Sequence, residues 1–276
     1  MTTLAISGIA WPPEEETEVA SALAMLGIRA VEIAPTKVFA DPPTAERSEV
    51  ADYVAWWRDL GIEVVAFQSM LFGREDLVLF GADDVRRATL GRLRGFIELA
   101  GRMGAGVLVF GSPRNRRVPD DMPAATAWGI AVPFFRELGR IADGNGVRFC
   151  IEPNPPRYAC NFVTTSGEGV ALVDEVAHPG FGLHLDVAGM TLAGENVGEA
   201  ILAAGTRIRH FHVSAPDLGE ISGEGIDHAS AASALAAIGY ESVISIEMRP
   251  GAPGEGVTRA SRAIEFARSA YRSILG

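Results

Sequence analysis

The chain has 276 residues, 48% of them hydrophobic and 21% charged, a globular profile long enough to bury a core without disulfide staples. A formal net charge of −11 argues against a nucleic-acid partner, because phosphate binding needs a basic surface. The two cysteines, Cys150 and Cys160, make no disulfide framework; no signal peptide and no apolar run near the ~20 residues of a membrane span is visible, so the expected setting is the cytoplasm.

Along the chain, short apolar runs alternate with longer stretches of helical periodicity. Leu4–Ile9 reads as a strand and precedes a helical pattern over Glu14–Leu26. Ala30–Ala34 precedes Glu46–Leu60, Ile62–Phe67 precedes Val85–Met103, and Val107–Phe110 precedes Ala124–Asn145. Val147–Glu152 leads into Gly167–Val176, Phe181–Asp186 into Val197–Ala204, Arg209–Val213 into Ala229–Ile238, and Val243–Glu247 into Val257–Leu275. Strand and helix alternating throughout 1–276 predict a single domain with a parallel sheet, closed into a (β/α)₈ TIM barrel. The widest irregular stretches all follow strands, on the face that carries chemistry in this fold.

Four successive strand-like runs end in polar residues, which are costly to bury alone. They read Phe149-Cys150-Ile151-Glu152, Leu183-His184-Leu185-Asp186, His210-Phe211-His212-Val213 and Ile244-Ser245-Ile246-Glu247. Strand alternation puts Glu152, Asp186, His212 and Glu247 on the inward side. Three carboxylates converging with an imidazole repel one another unless a cation joins them. Oxygen-rich ligation with one nitrogen suits one divalent ion, with Mn²⁺ ahead of Mg²⁺ or Co²⁺. The competing reading is an ion-pair network closing the barrel, with Arg148, Arg209 and Arg249 as partners.

The chain resembles the sugar phosphate isomerase/epimerase superfamily, with its xylose-isomerase-like barrels and ketose 3-epimerases. The resemblance rests on Cys150-Ile151-Glu152-Pro153, Leu183-His184-Leu185-Asp186, His210-Phe211-His212, Gly223-Glu224-Gly225-Ile226-Asp227 and Ser245-Ile246-Glu247. It implies one metal held by Glu152, Asp186, His212 and Glu247, with Glu152 and Glu247 as the catalytic acid/base pair on opposite faces of a bound sugar. Two positions depart from the ketose 3-epimerase pattern. Gly189 stands three residues after Asp186, where those enzymes usually carry His, and Leu218 stands six after His212, where they carry Arg. Both departures disfavour a free hexulose substrate.

Further candidates follow strands. Arg114, in the loop Gly111–Arg117, and Arg157, soon after Glu152, are candidates to hold a phosphate or carboxylate; Arg116 and Arg117 read as solvated or paired with Asp120 and Asp121. His184 and His210 point inward one layer below Asp186 and His212, as core residues or as pocket lining. His228 either closes over substrate or caps a helix with Asp227. Gln68 is a candidate hydroxyl contact, and Trp11 and Phe72 are candidate apolar walls against an alternative of ordinary packing. Glu32 reads as buried and structural.

The expectation is a metal-dependent epimerase or isomerase of a small sugar, polyol or cyclitol-like carbonyl compound, acting through an enediolate. A lyase on the same barrel is the nearest alternative, and a non-catalytic sugar-binding barrel a further one. No membrane partner is expected, and homo-oligomers are common among such barrels.

Overall fold

The structure is a computed structural model that describes residues 2–275. Its parallel strands close into one barrel in chain order: β1 (Thr3–Ser7), β2 (Ala30–Ile33), β3 (Glu63–Phe67), β4 (Val107–Phe110), β5 (Arg148–Ile151), β6 (Phe181–Asp186), β7 (Ile208–Ser214) and β8 (Val243–Glu247). β8 returns to β1 with Ile246 opposite Ile6. The helices that follow them in turn are α1 (Glu16–Met25), α2 (Arg47–Asp59), α3 (Asp83–Met103), α4 (Ala124–Gly144), α5 (Ser166–Val176), α6 (Val197–Ala204), α7 (His228–Ala237) and α8 (Gly256–Ala270).

Alternation along the strands divides the interior in two. Ile6, Val31, Phe67, Phe110, Phe149, Leu183, Phe211 and Ile244 face outward and join Leu23, Trp57, Phe96 and Phe135 in one continuous apolar layer. Inside the ring, Ala66, Val107, Val109 and Cys150 form a small separate cluster. The rest of the lumen is polar and closed to solvent: Ser7, Glu32, His184, His210, His212 and Ser245 are all buried. Groups so placed must find partners within the barrel, and their pairing fixes the site.

Two local features depart from the sequence expectation. Helical periodicity continues to Leu275, but α8 ends at Ala270 and a short helix, Arg272–Leu275, follows Tyr271. Tyr271 is buried and its hydroxyl lies 2.9 Å from His228 Nδ1. Directly after β6 a short helix spans Val187–Leu192, with Asp186 as its N-cap. No described helix is long and apolar enough to cross a membrane. Cys150 and Cys160 are both free and buried.

Candidate metal centre

Neighbouring strands deliver the four strand-end residues to one place. Asp186 at the end of β6 stands opposite His212 in β7, and Glu247 at the end of β8 stands opposite Ser214. Glu152 follows β5, its backbone N–H donating to the Phe110 carbonyl at 3.2 Å. Ligating atoms of Glu152, Asp186 and His212 lie within 4.8 Å of one another. Glu247 Oε2 joins them 3.3 Å from His212 Nδ1, with Asp186 Oδ2 at 3.9 Å from the same nitrogen.

The second polar atom of Asp186 and of His212 is fixed elsewhere. The N–H of Gly189 donates to Asp186 Oδ1, an N-cap bond of the short helix. Glu32 Oε2 lies 3.0 Å from His212 Nε2. Asp186 Oδ2 and His212 Nδ1 are left buried without hydrogen-bond partners. Unpartnered polar atoms of this kind are costly to bury unless something binds them. Among the described residues, no arginine or lysine forms an ion pair with Glu152, Asp186 or Glu247, and Arg148 instead reaches Asp143. The donor set therefore fits a divalent cation, and the arginine-network alternative loses its partners.

Proton affinities follow from this crowding. Burial, reinforced by Glu247 and Asp186, pushes the Glu152 carboxyl up to about 8 in the metal-free site. Burial and then Glu247 raise Asp186 to about 6. Burial alone would also raise Glu32, but His212, His210 and hydrogen bonds from His212 and Ser245 outweigh it and hold that carboxyl at about 2. Burial alone would lower His212; Glu32 and Glu247 overcome it and raise the imidazole well above its usual value. One layer below, burial and the neighbouring imidazoles lower His184 well below its usual value; burial holds His210 at about 4.

Three supporting residues were not legible as such. Glu32, read as merely structural, orients His212 from across the lumen. Arg116, read as a solvated loop residue, is fully buried. Its guanidinium donates to the Glu152 carbonyl at 2.6 Å, the Phe110 carbonyl at 3.3 Å and Cys160 Sγ at 3.5 Å, tying the loops after β4 and β5 together. Gly111 leaves room for the Glu152 carboxylate, since a Cβ there would overlap Glu152 Oε2.

A cavity of about 680 Å³ opens above the centre, lined at its floor by Glu152, Asp186, Glu247 and Gln68. Gln68 is buried and donates to Ser7 Oγ at 2.6 Å. Arg114 reaches the cavity, but pairs with Glu75 at 2.8 Å. The other residues expected to contact substrate, Phe72 excepted, lie outside the cavity lining. Arg157 lies outside the lining and pairs with Asp217 at 2.6 Å. Trp11, in the loop after β1, is fully buried, with Lys37 over its ring. His184 and His210 are sealed in the lumen, their Nδ1 atoms 3.1 Å apart. His228 begins α7 and is bound by Tyr271, away from the cavity.

A family model described as "Xylose isomerase-like TIM barrel" matches residues 20–270. An L-ribulose 3-epimerase of Methylomonas sp. (strain DH-1) is 35% identical over 117 residues, 42% of this chain and 41% of that protein. The chain spans less than half the length of the curated relatives it matches. Among solved structures, the D-psicose 3-epimerase of Clostridium cellulolyticum H10 superposes with a TM-score of 0.80 at 20% identity, covering 99% of each chain. A 3-keto-D-glucoside 4-epimerase from E. coli superposes with a TM-score of 0.80 at 16% identity, covering 98% of this chain and 100% of the other. These likenesses agree with the barrel, and the family match over 20–270 decides its kind: the chain belongs to the xylose isomerase-like TIM barrel family.

Proposed function

We propose that the protein is a metal-dependent sugar epimerase, acting at a carbon next to a carbonyl. The carrying observation is the pair of unpartnered buried atoms, Asp186 Oδ2 and His212 Nδ1, facing Glu152 and Glu247 at the floor of one cavity. Relatives named L-ribulose and D-psicose 3-epimerases support the same chemistry. Glu152, Asp186, His212 and Glu247 would hold the ion, with Mn²⁺ best suited to the donor set. When bound, the ion polarises a carbonyl and acidifies the neighbouring C–H.

Glu152 and Glu247 would then act as the proton-transfer pair. Glu152 directly follows β5 and Glu247 ends β8, three strands apart around the ring, so the two approach the cavity from separated directions. A sugar held between them shows one face to each. One carboxylate takes the proton and the other returns one to the opposite face, which inverts the carbon. Return by the same carboxylate to the adjacent carbon gives aldose–ketose isomerisation instead. Asp186 and His212 stay fixed by Gly189 and Glu32, and Gln68 offers its amide to a sugar hydroxyl.

Gly189 and Leu218 supply no polar side chain to the cavity, so free fructose, tagatose and psicose are expected to turn over poorly; sites built to bond a hydroxyl discriminate by up to ~10⁴-fold. A cytoplasmic setting and a homo-oligomer accompany this reading. The test is NMR of the Mn²⁺-loaded protein with a panel of ketoses, keto-glycosides and inososes in D₂O. Inversion with deuterium entering the inverted carbon is expected. Loss of water from a substrate would favour the lyase alternative, and no exchange across the panel would set the epimerase reading aside.

A further inference from the structure

We infer that the outer half of the cavity is a subsite for an uncharged, apolar substituent on the sugar, such as the aglycone of a glycoside. The inference rests on the epimerase reading for the inner half and adds a substrate class to it.

A single cavity runs from the metal centre to the rim. Its volume of about 680 Å³ lies in the middle of the range of about 300–1,000 Å³ that encloses drug-sized ligands. A lone hexose leaves the outer part unfilled. Beside the strand-end carboxylates and Gln68, the loops after the strands contribute Leu71, Phe72, Pro113, Pro155 and Leu218 to the wall, together with the charged Glu75, Arg114 and Asp217.

The rim gives an anionic group little to hold. Both candidate cations are spent within the chain: Arg114 on Glu75 at 2.8 Å, and Arg157, beyond the lining, on Asp217 at 2.6 Å. The chain's net charge of −11 acts in the same direction. A phosphorylated sugar would meet a neighbouring carboxylate at either arginine.

Phe72 is the residue this outer wall turns on. It is 79% exposed, a large ring left in water at the edge of the cavity. Single exposed apolar residues are ordinary, and Met25 and Leu202 are such cases away from the cavity. Phe72 differs because its loop is held in place. The buried Asn115 side chain donates to the carbonyls of Arg74 and Leu77, both at 2.7 Å, and the Asn115 backbone carbonyl accepts from the Leu79 N–H at 2.8 Å. Ser69, at the start of the loop, has a left-handed φ of 56°, a conformation that costs a non-glycine residue free energy and clusters at binding sites. A fastened, strained loop presenting an aromatic ring beside the cavity suits stacking against an apolar group.

The experiment measures binding, so that it does not depend on turnover. Mn²⁺-loaded wild type and Phe72→Ala would be titrated by calorimetry with D-glucose and D-fructose, their phenyl glycosides, and D-glucose 6-phosphate. A phenyl glycoside is expected to bind about tenfold more tightly than its parent sugar, and the phosphate to give no gain. In Phe72→Ala the advantage should shrink to about twofold or less. Equal affinities, no measurable binding of either phenyl glycoside, an advantage kept in the variant, or tightest binding by the phosphate would each overturn the inference. Sedimentation of both proteins at one concentration covers the other occupant of this surface: dissociation of a wild-type dimer on Phe72→Ala would assign the ring to a second copy and overturn it too. Failure of proton exchange in D₂O, with the phenyl preference intact, would strike the epimerase reading alone.

Discussion

Glu32 Oε2 lies 3.0 Å from His212 Nε2, although the two residues are 180 positions apart and their strands are not neighbours. The bond crosses the closed lumen and directs Nδ1 toward Glu247 and Asp186. A carboxylate behind a metal-binding imidazole fixes its tautomer and raises its basicity. Glu32→Gln should therefore lower Mn²⁺ affinity by about 10–100-fold, with the barrel still folded by circular dichroism. Unchanged affinity by calorimetry would show that His212 is oriented by something else.

Metal binding should strengthen with pH. Glu152, raised to about 8, and Asp186, raised to about 6, must both lose protons before they ligate. Between pH 6 and 8 the affinity is expected to climb by up to about two decades per unit, one proton leaving Glu152 and one leaving the His212 imidazole, which is raised well above its usual value and must be neutral to ligate. Calorimetry in buffers of different ionisation heat would read the released protons directly. The sign for metal-free stability is the reverse. A carboxyl raised above its usual 4.5 stabilises the fold fully below that value, and the contribution fades as pH rises through about 8. Glu32, held at about 2, acts oppositely: its contribution is present above 4.5 and fades as pH falls toward 2. A metal-free melting temperature that rises from pH 6 to 8 would contradict the assignment to Glu152.

Gly111 should tolerate no side chain. The Cβ of Gly111→Ala would overlap Glu152 Oε2, so the carboxylate must turn away from Asp186 and His212. The expected loss of Mn²⁺ affinity is on the order of 10–100-fold, as for other residues that support a ligand. The backbone φ of Gly111 is not in the left-handed region, so the fold itself should survive. Full metal affinity in Gly111→Ala, with an unaltered melting curve, would place Glu152 outside the ligand set.

The clustering of the four strand-end residues was legible because strand alternation is local. Within Leu183–Asp186 or Ile244–Glu247, each apolar residue facing the helices commits its neighbour to the lumen, and the strand order then brings the ends together. The supports were not legible, because each depends on ring closure or loop docking. Glu32 meets His212 only when β2 and β7 face the same lumen. Arg116 looks like its solvated neighbour Arg117 until the loops after β4 and β5 meet over it. The same cause explains the candidates that fell away. Trp11, His228 and Arg157 follow strands, as pocket residues do, but spacing carries no information on whether a loop folds toward the cavity or back onto a helix.

The two-glutamate mechanism makes the most specific demand. If Glu152 and Glu247 serve opposite faces of one sugar, neither can replace the other. Glu152→Gln and Glu247→Gln should each lower turnover by about 10²–10⁴-fold at saturating Mn²⁺, the usual contribution of a positioned acid or base. Lost metal affinity would add to this, so it must be measured separately and saturated. The two variants should also differ from each other. With one carboxylate left, an epimer whose C–H faces it can still exchange that proton with D₂O without inverting, while the other epimer is inert. Swapping the variant should swap the epimer that exchanges. NMR of each variant with each purified epimer reads this directly. Inversion near the wild-type rate in either variant, or the same epimer exchanging in both, would remove the two-base mechanism and leave the metal centre to be explained by another reaction.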